Sequence, residues 1–112
     1  MKVYLSGPMR GLPNFNHEAF ISAAERLRTQ GHAVFNPVEE TIKLYGADVY
    51  KNNPQGIESI ACIDTRKVFL NDLSFICLEA EAIALLPGWR KSKGAKAEYA
   101  TAKALGLKVI KL

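Results

Sequence analysis

Apolar positions in this chain fall into short continuous runs separated by stretches with helical spacing. Residues 2–5 are apolar and β-prone and end at Ser6-Gly7-Pro8, which predicts a buried strand followed by a loop. That loop, residues 6–16, holds Gly7, Pro8, Gly11 and Pro13, and Asn16 is placed to cap a helix. Phe20, Ala24 and Leu27 then recur at i, i+4 and i+7, giving the helix one apolar face. Glu18 in its first turn and Arg26 and Arg28 in its last suit the macrodipole, and Gly31 is the expected stop. Ala33-Val34-Phe35 predicts a second buried strand, closed by Asn36-Pro37. Residues 39–56 give no pattern beyond a loop marked by Asn52-Asn53-Pro54 and Gly56. A helix is expected from Ile57, with Ile60, Ile63, Lys67 and Leu70 near one stripe. Asn71-Asp72 is expected to interrupt it before a short helix through Leu78. Residues 82–86 form a third apolar strand stopped by Pro87-Gly88. An alanine-rich helix over residues 95–105, Gly106, and the strand Lys108-Val109-Ile110 complete the chain.

Strands alternate with helices, and the clearest strands are continuous apolar runs. Both features indicate a parallel sheet covered on both faces. The expected fold class is α/β: a small doubly wound, flavodoxin-like (Rossmann-like) sheet in a single domain over residues 1–112. Ligands in such folds bind beyond the carboxyl ends of the strands. The loops there are residues 6–16, 36–40 and 87–95, which are expected to share one cleft.

Composition narrows the classes. The chain has 112 residues, of which 48% are hydrophobic and 23% charged, an ordinary globular balance that needs no disulfide or metal staple. No apolar run approaches the ~20 residues of a membrane span, and the first residues hold no signal-peptide pattern, so a cytoplasmic protein without membrane contact is expected. Cys62 and Cys77 form no CxxC pair and read as two small buried hydrophobes. The net charge is +4, from 15 Lys and Arg against 11 Asp and Glu. Arg90, Lys91, Lys93 and Lys96 lie within seven residues. No basic stripe interleaves with aromatics, which argues against an extended nucleic-acid surface.

Several constellations could carry chemistry. The turn Ser6-Gly7-Pro8-Met9-Arg10-Gly11 either is only a turn or lets backbone and guanidinium approach an anion. Ser92-Lys93-Gly94 opens a helix after a strand, a ready anion site. Glu98, about one turn inside that helix, is either a solvated first-turn carboxylate or a nucleophile. Asp72 is either a cap or a general acid. Two carboxylates at one sugar would allow glycoside-type chemistry with retention. Trp89 either stacks on a base or packs. His17 and His32 are isolated, and no metal-ligand spacing occurs; neither metal nor cofactor is expected.

Taken together, the segments resemble the nucleoside 2-deoxyribosyltransferase superfamily, and in particular its short phage and bacterial branch, the domain-of-unknown-function family DUF4406. The resembling pieces begin with Tyr4-Leu5-Ser6-Gly7-Pro8-Met9-Arg10-Gly11, Phe35-Asn36-Pro37 and Asn71-Asp72-Leu73. They continue through Ala82-Ile83-Ala84-Leu85-Leu86-Pro87-Gly88-Trp89 and Ser92-Lys93-Gly94-Ala95-Lys96-Ala97-Glu98. The resemblance implies that Glu98 attacks the sugar C1′ to form a covalent deoxyribosyl intermediate. It implies that Asp72 handles the leaving base and that Tyr4 orients the nucleophile. Ser6, Gly7, Arg10, Gly11, Asn36, Trp89, Ser92 and Gly94 become candidate substrate and phosphate contacts. Six residues before the nucleophile, the nucleoside transferases carry an acid that binds the sugar hydroxyl, whereas the relatives that hydrolyse deoxynucleoside 5′-monophosphates carry serine. This chain has Ser92 there. An acid would repel a phosphate, and a hydroxyl beside Gly94 and free N–H groups would accept one.

The expected activity is therefore an N-glycosidase or deoxyribosyltransferase acting on a 2′-deoxynucleoside 5′-monophosphate, with water or another base as acceptor. A non-catalytic nucleotide-binding module uses the same phosphate loops and gives Glu98 no chemical role. A third reading is a structural prophage protein with a vestigial cleft. A homodimer or higher homo-oligomer is expected from the resemblance and from the alanine-rich last helix.

Overall fold

The computed structural model describes residues 1–46 and 64–112. Four strands, β1 (Lys2–Ser6), β2 (Ala33–Phe35), β3 (Ala82–Leu85) and β4 (Lys108–Lys111), form one sheet in the order β2-β1-β3-β4. Every pairing is parallel. Helices α1 (His17–Thr29), α2 (Pro37–Tyr45), α3 (Thr65–Leu78) and α4 (Lys93–Ala104) connect them. This is the doubly wound arrangement expected from the alternating pattern, and its strand order is that of the flavodoxin-like class.

The period-2 alternation of the central strands divides the core in two. Val3, Leu5, Ala82, Ala84 and Leu86 pack with Phe20, Ala23, Ala24 and Leu27 of α1. Tyr4, Ile83 and Leu85 face the other way, with Ile76 of α3 and Ala102 of α4. The register sets Tyr4 beside Ile83 and Ser6 beside Leu85. Tyr4, one residue from apolar neighbours on both sides, thus carries a phenol through the second core to the carboxyl end of the sheet.

The structure departs from the sequence pattern at identifiable places. β2 is an edge strand with Ala33 exposed and Val34 and Phe35 half-buried, because only β1 pairs with it. Asn36-Pro37 closes β2 but also opens α2: Asn36 Oδ1 accepts from the Val38 N–H at 3.0 Å and Pro37 sits in the first turn. α3 runs unbroken through Asn71 and Asp72. Asn71 faces solvent and Asp72 faces inward, so neither competes for the helix backbone. The buried face of α3 is Asp72 and Ile76, while Leu70 is exposed. The remaining positions of the expected stripe, Ile60 and Ile63, lie outside the described residues, as do Cys62, Asn52-Asn53-Pro54, Gly56 and the expected helix start at Ile57. Cys77 is exposed rather than buried, since it projects from the solvent side of α3. Asn16 precedes α1 but makes no side-chain cap; it has φ +62° and its Nδ2 donates to the Pro8 carbonyl at 3.0 Å. Among the described residues no helix is long and apolar enough to cross a membrane.

Candidate active site

A cavity of about 430 Å³ opens at the carboxyl ends of β1 and β3, where Tyr4, Ser6, Asp72 and Glu98 meet. Its volume falls within the usual range of small-molecule sites. Glu98 reaches it because the inward stripe of α4 is Ala95, Glu98 and Ala102. Two alanines flank the carboxylate along this stripe and let the helix approach the sheet closely. Asp72 reaches it from α3, one turn before the buried Ile76. Both carboxylates are over nine-tenths buried, at 7% and 6% exposure. Each lies on the sheet-facing side of its helix, where an apolar residue is the default.

Both oxygens of Glu98 are hydrogen-bonded. The Tyr4 hydroxyl donates to Oε2 at 2.8 Å and the Ser6 hydroxyl to Oε1 at 2.6 Å. Tyr4 is itself fixed by stacking on Phe35, with centroids 5.4 Å apart. Among the described residues no buried side-chain N or O atom lacks a partner, as the two donors on Glu98 illustrate.

Burial dominates the electrostatics. Desolvation pushes Asp72 up to about 8 from 3.8, helped by the nearby Glu98 charge and opposed by hydrogen bonding from Tyr4. Desolvation also pushes Glu98 up to about 7 from 4.5, opposed by the hydrogen bonds from Ser6 and Tyr4. Tyr4 is held well above its ordinary 10, first by burial and then by Glu98 and Asp72. Near neutrality the site therefore holds a protonated Asp72, a partly ionised Glu98 and a neutral phenol. Two interacting carboxyls titrate as a pair, and displaced acid pairs of this kind favour functional sites.

Turns also contribute to the cavity lining. Gly7 follows β1 so closely that a Cβ there would lie 2.6 Å from Leu86 Cβ, which requires glycine. Arg10, on the same turn, lines the cavity and is exposed. Ser92 caps α4, its Oγ accepting from Ala95 N–H at 3.1 Å, and Ser92, Gly94 and Ala95 all line the cavity. A helix N-terminus, a serine and a guanidinium thus face one space, the chemistry that receives an anion.

Of the residues singled out from sequence, Tyr4, Ser6, Gly7, Arg10, Asp72, Ser92, Gly94 and Glu98 come together. Gly11, Asn36 and Trp89 do not line the cavity. Gly11 takes φ +88° at the turn. Asn36 is buried as the cap of α2. Trp89 packs on Tyr99 at 4.6 Å with the Arg90 guanidinium over its ring. Lys91, Lys93 and Lys96 are exposed and line nothing there. Other wall residues were not singled out as site residues: the apolar Phe15, Phe20, Val68 and Phe69 and the hydroxyl-bearing Thr41 and Thr65. Val68 lies one helical turn before Asp72, so a reading of α3 as one helix would have found it. Phe15 gives no such signal, because it sits among three consecutive left-handed residues, Asn14 to Asn16. Among the described residues no group of three His, Cys, Asp or Glu side chains is placed to hold a metal ion.

A family model, Domain of unknown function (DUF4406), matches residues 1–111. The chain belongs to this family. Comparison with curated proteins and with solved structures finds no match. The DUF4406 model spans both turns and both carboxylates of the cavity, so the site described above lies wholly within the family domain.

Proposed function

We propose that this DUF4406 protein cleaves the N-glycosidic bond of a 2′-deoxynucleoside 5′-monophosphate. The reading rests above all on Glu98, a carboxylate held by two donors beside a second buried carboxyl in a ligand-sized cavity. Glu98 attacks C1′ and forms a glycosyl ester. The C1′–N bond breaks, and its electron pair leaves with the base, which takes the Asp72 proton. Asp72, now ionised, removes a proton from water as that water attacks C1′ and displaces Glu98. The products are free base and 2-deoxyribose 5-phosphate; a second base in place of water makes the reaction a transfer. The raised Asp72 supports this order of events, since a general acid must keep its proton at working pH.

The 5′-phosphate is assigned to Ser92, Gly94, the first N–H groups of α4 and Arg10. Hydroxyl and guanidinium donors suit phosphate oxygens, and Arg10 is the one basic side chain lining the cavity among the described residues. The base is assigned to the walls formed by Phe15, Val68 and Phe69. Self-association belongs to the same proposal, through the exposed Ala97, Ala100 and Ala104 on α4, and sedimentation of the purified protein would show it.

The deciding experiment is chromatography of a panel of deoxynucleoside 5′-monophosphates incubated with wild type and Glu98→Ala. Free base from wild type alone is expected. Nucleotide binding by calorimetry with no base released by either protein would replace this reading with a non-catalytic nucleotide-binding module.

A further inference from the structure

Two buried carboxyls facing one cavity compete for a single negative charge, because two like charges in a poorly solvated site raise each other's energy. Something must decide which of them carries it. Burial does not, since both are similarly enclosed. Tyr4 also donates to Glu98, at 2.8 Å, but its hydroxyl opposes the rise of Asp72 as well as that of Glu98, so it favours charge on either carboxyl. Ser6 is different. Its hydroxyl donates to Glu98 Oε1 at 2.6 Å, and no such bond joins it to Asp72. Ser6 is 1% exposed and ends β1 opposite Leu85. Its carbonyl accepts from the Leu86 N–H at 2.8 Å, so the strand holds its side chain in place before any ligand arrives.

We propose that Ser6 is the positioning residue that divides the roles of the two carboxyls: by donating to Glu98 alone, it makes Glu98 the charged nucleophile and leaves Asp72 the proton carrier. Its hydroxyl is thereby committed to Glu98 and is not a phosphate ligand. The other groups facing the pair do not supply this asymmetry. Arg10 lines the same cavity from the turn after β1, and Ser92 caps α4 at its far end. Glu40 on α2 adds to the rise of Asp72 as its smallest cause, and it is already paired with Lys43 at 3.2 Å. The hydrogen bond from Ser6 is the largest influence opposing the rise of Glu98.

The role of Ser6 as divider rests on the glycosidase reading, but its test is chosen to be independent of it. Carbon-detected NMR titration of the Asp and Glu carboxyls is run on wild type, Ser6→Ala and Ser6→Thr. In Ser6→Ala the Glu98 midpoint is expected to rise by about one pH unit, the loss of one hydrogen bond to a charged group. Ser6→Thr, which keeps the hydroxyl, restores it. In base-release assays the acid limb of the Ser6→Ala kcat/KM profile moves up by the same amount, and the rate recovers on the alkaline side. An unmoved Glu98 midpoint, or a rate loss equal at every pH, overturns the proposal. If Ser6→Ala does not fold, Ser6→Cys replaces it, since a thiol of similar size is only a weak donor. If wild type releases no base, the glycosidase reading fails while the titration still judges Ser6.

Discussion

The floor of the cavity and its basic flank make opposite use of charge. On the floor, Asp72 and Glu98 are buried and displaced from their ordinary acidity, and both oxygens of Glu98 accept hydrogen bonds. On the flank, Lys91, Lys93 and Lys96 are exposed and line no part of the cavity. The sequence makes the flank conspicuous, because four cations fall within seven residues, and leaves the floor as two isolated acids. The lesson is that charge density along a chain measures solvated surface, whereas a working charge is marked by where its helix points. One side chain bridges the regions: Arg10, exposed yet facing the same space as the carboxylates.

The largest expected effect falls on the floor. Asp72→Asn keeps the shape and removes the proton, so base release should drop by at least about a hundredfold. A variant within a few fold of wild type in the same assay would break the contrast. The same substitution should change stability in the opposite direction. Both carboxyls bind protons more tightly folded than unfolded, so the folded state loses stability as pH rises from their ordinary values of 3.8 and 4.5 through about 8 and about 7. Thermal melts should therefore show wild type weakening from acid to alkaline pH. Asp72→Asn should gain on it by about 1 kcal/mol or more on the alkaline side; parallel melting curves across pH would contradict the burial argument.

An intermediate effect is expected at Arg10. Arg10→Ala should raise KM for a deoxynucleoside 5′-monophosphate by about tenfold, the value of one charge-assisted bond. KM for the matching nucleoside should not change, and equal losses on both would remove the phosphate assignment. The smallest effect belongs to the flank. Replacing Lys91, Lys93 and Lys96 together by Gln should alter kcat/KM less than about threefold at moderate salt, where exposed charges are screened. A tenfold loss would return the flank to the site.

The same contrast explains what was legible in the sequence. Strands were legible because a fully buried parallel strand has to be apolar throughout, and residues 3–5 and 82–86 show it. α1 was legible from the spacing of Phe20, Ala24 and Leu27. α2 was not, because Asn36-Pro37 is both a strand stop and a helix start, and only tertiary packing of Val38 and Thr41 decides between them. The continuity of α3 was hidden by Asn71 and Asp72, which are poor helix formers locally but here point to solvent and to the cavity. Glu98, Asp72 and Tyr4 were reached through resemblance and by their neighbours along the chain. Their hydrogen bonds were not, since Tyr4 and Ser6 lie more than ninety residues from Glu98.

Trp89 has a practical consequence. It is the single tryptophan, it stands outside the cavity against Tyr99 of α4 and beneath Arg90, and it begins the turn that delivers Ser92. Its emission is therefore a built-in optical gauge, set by how the start of α4 seats on the sheet. A ligand that tightens that seat changes the signal without touching the indole, so occupancy can be followed in the unlabelled protein.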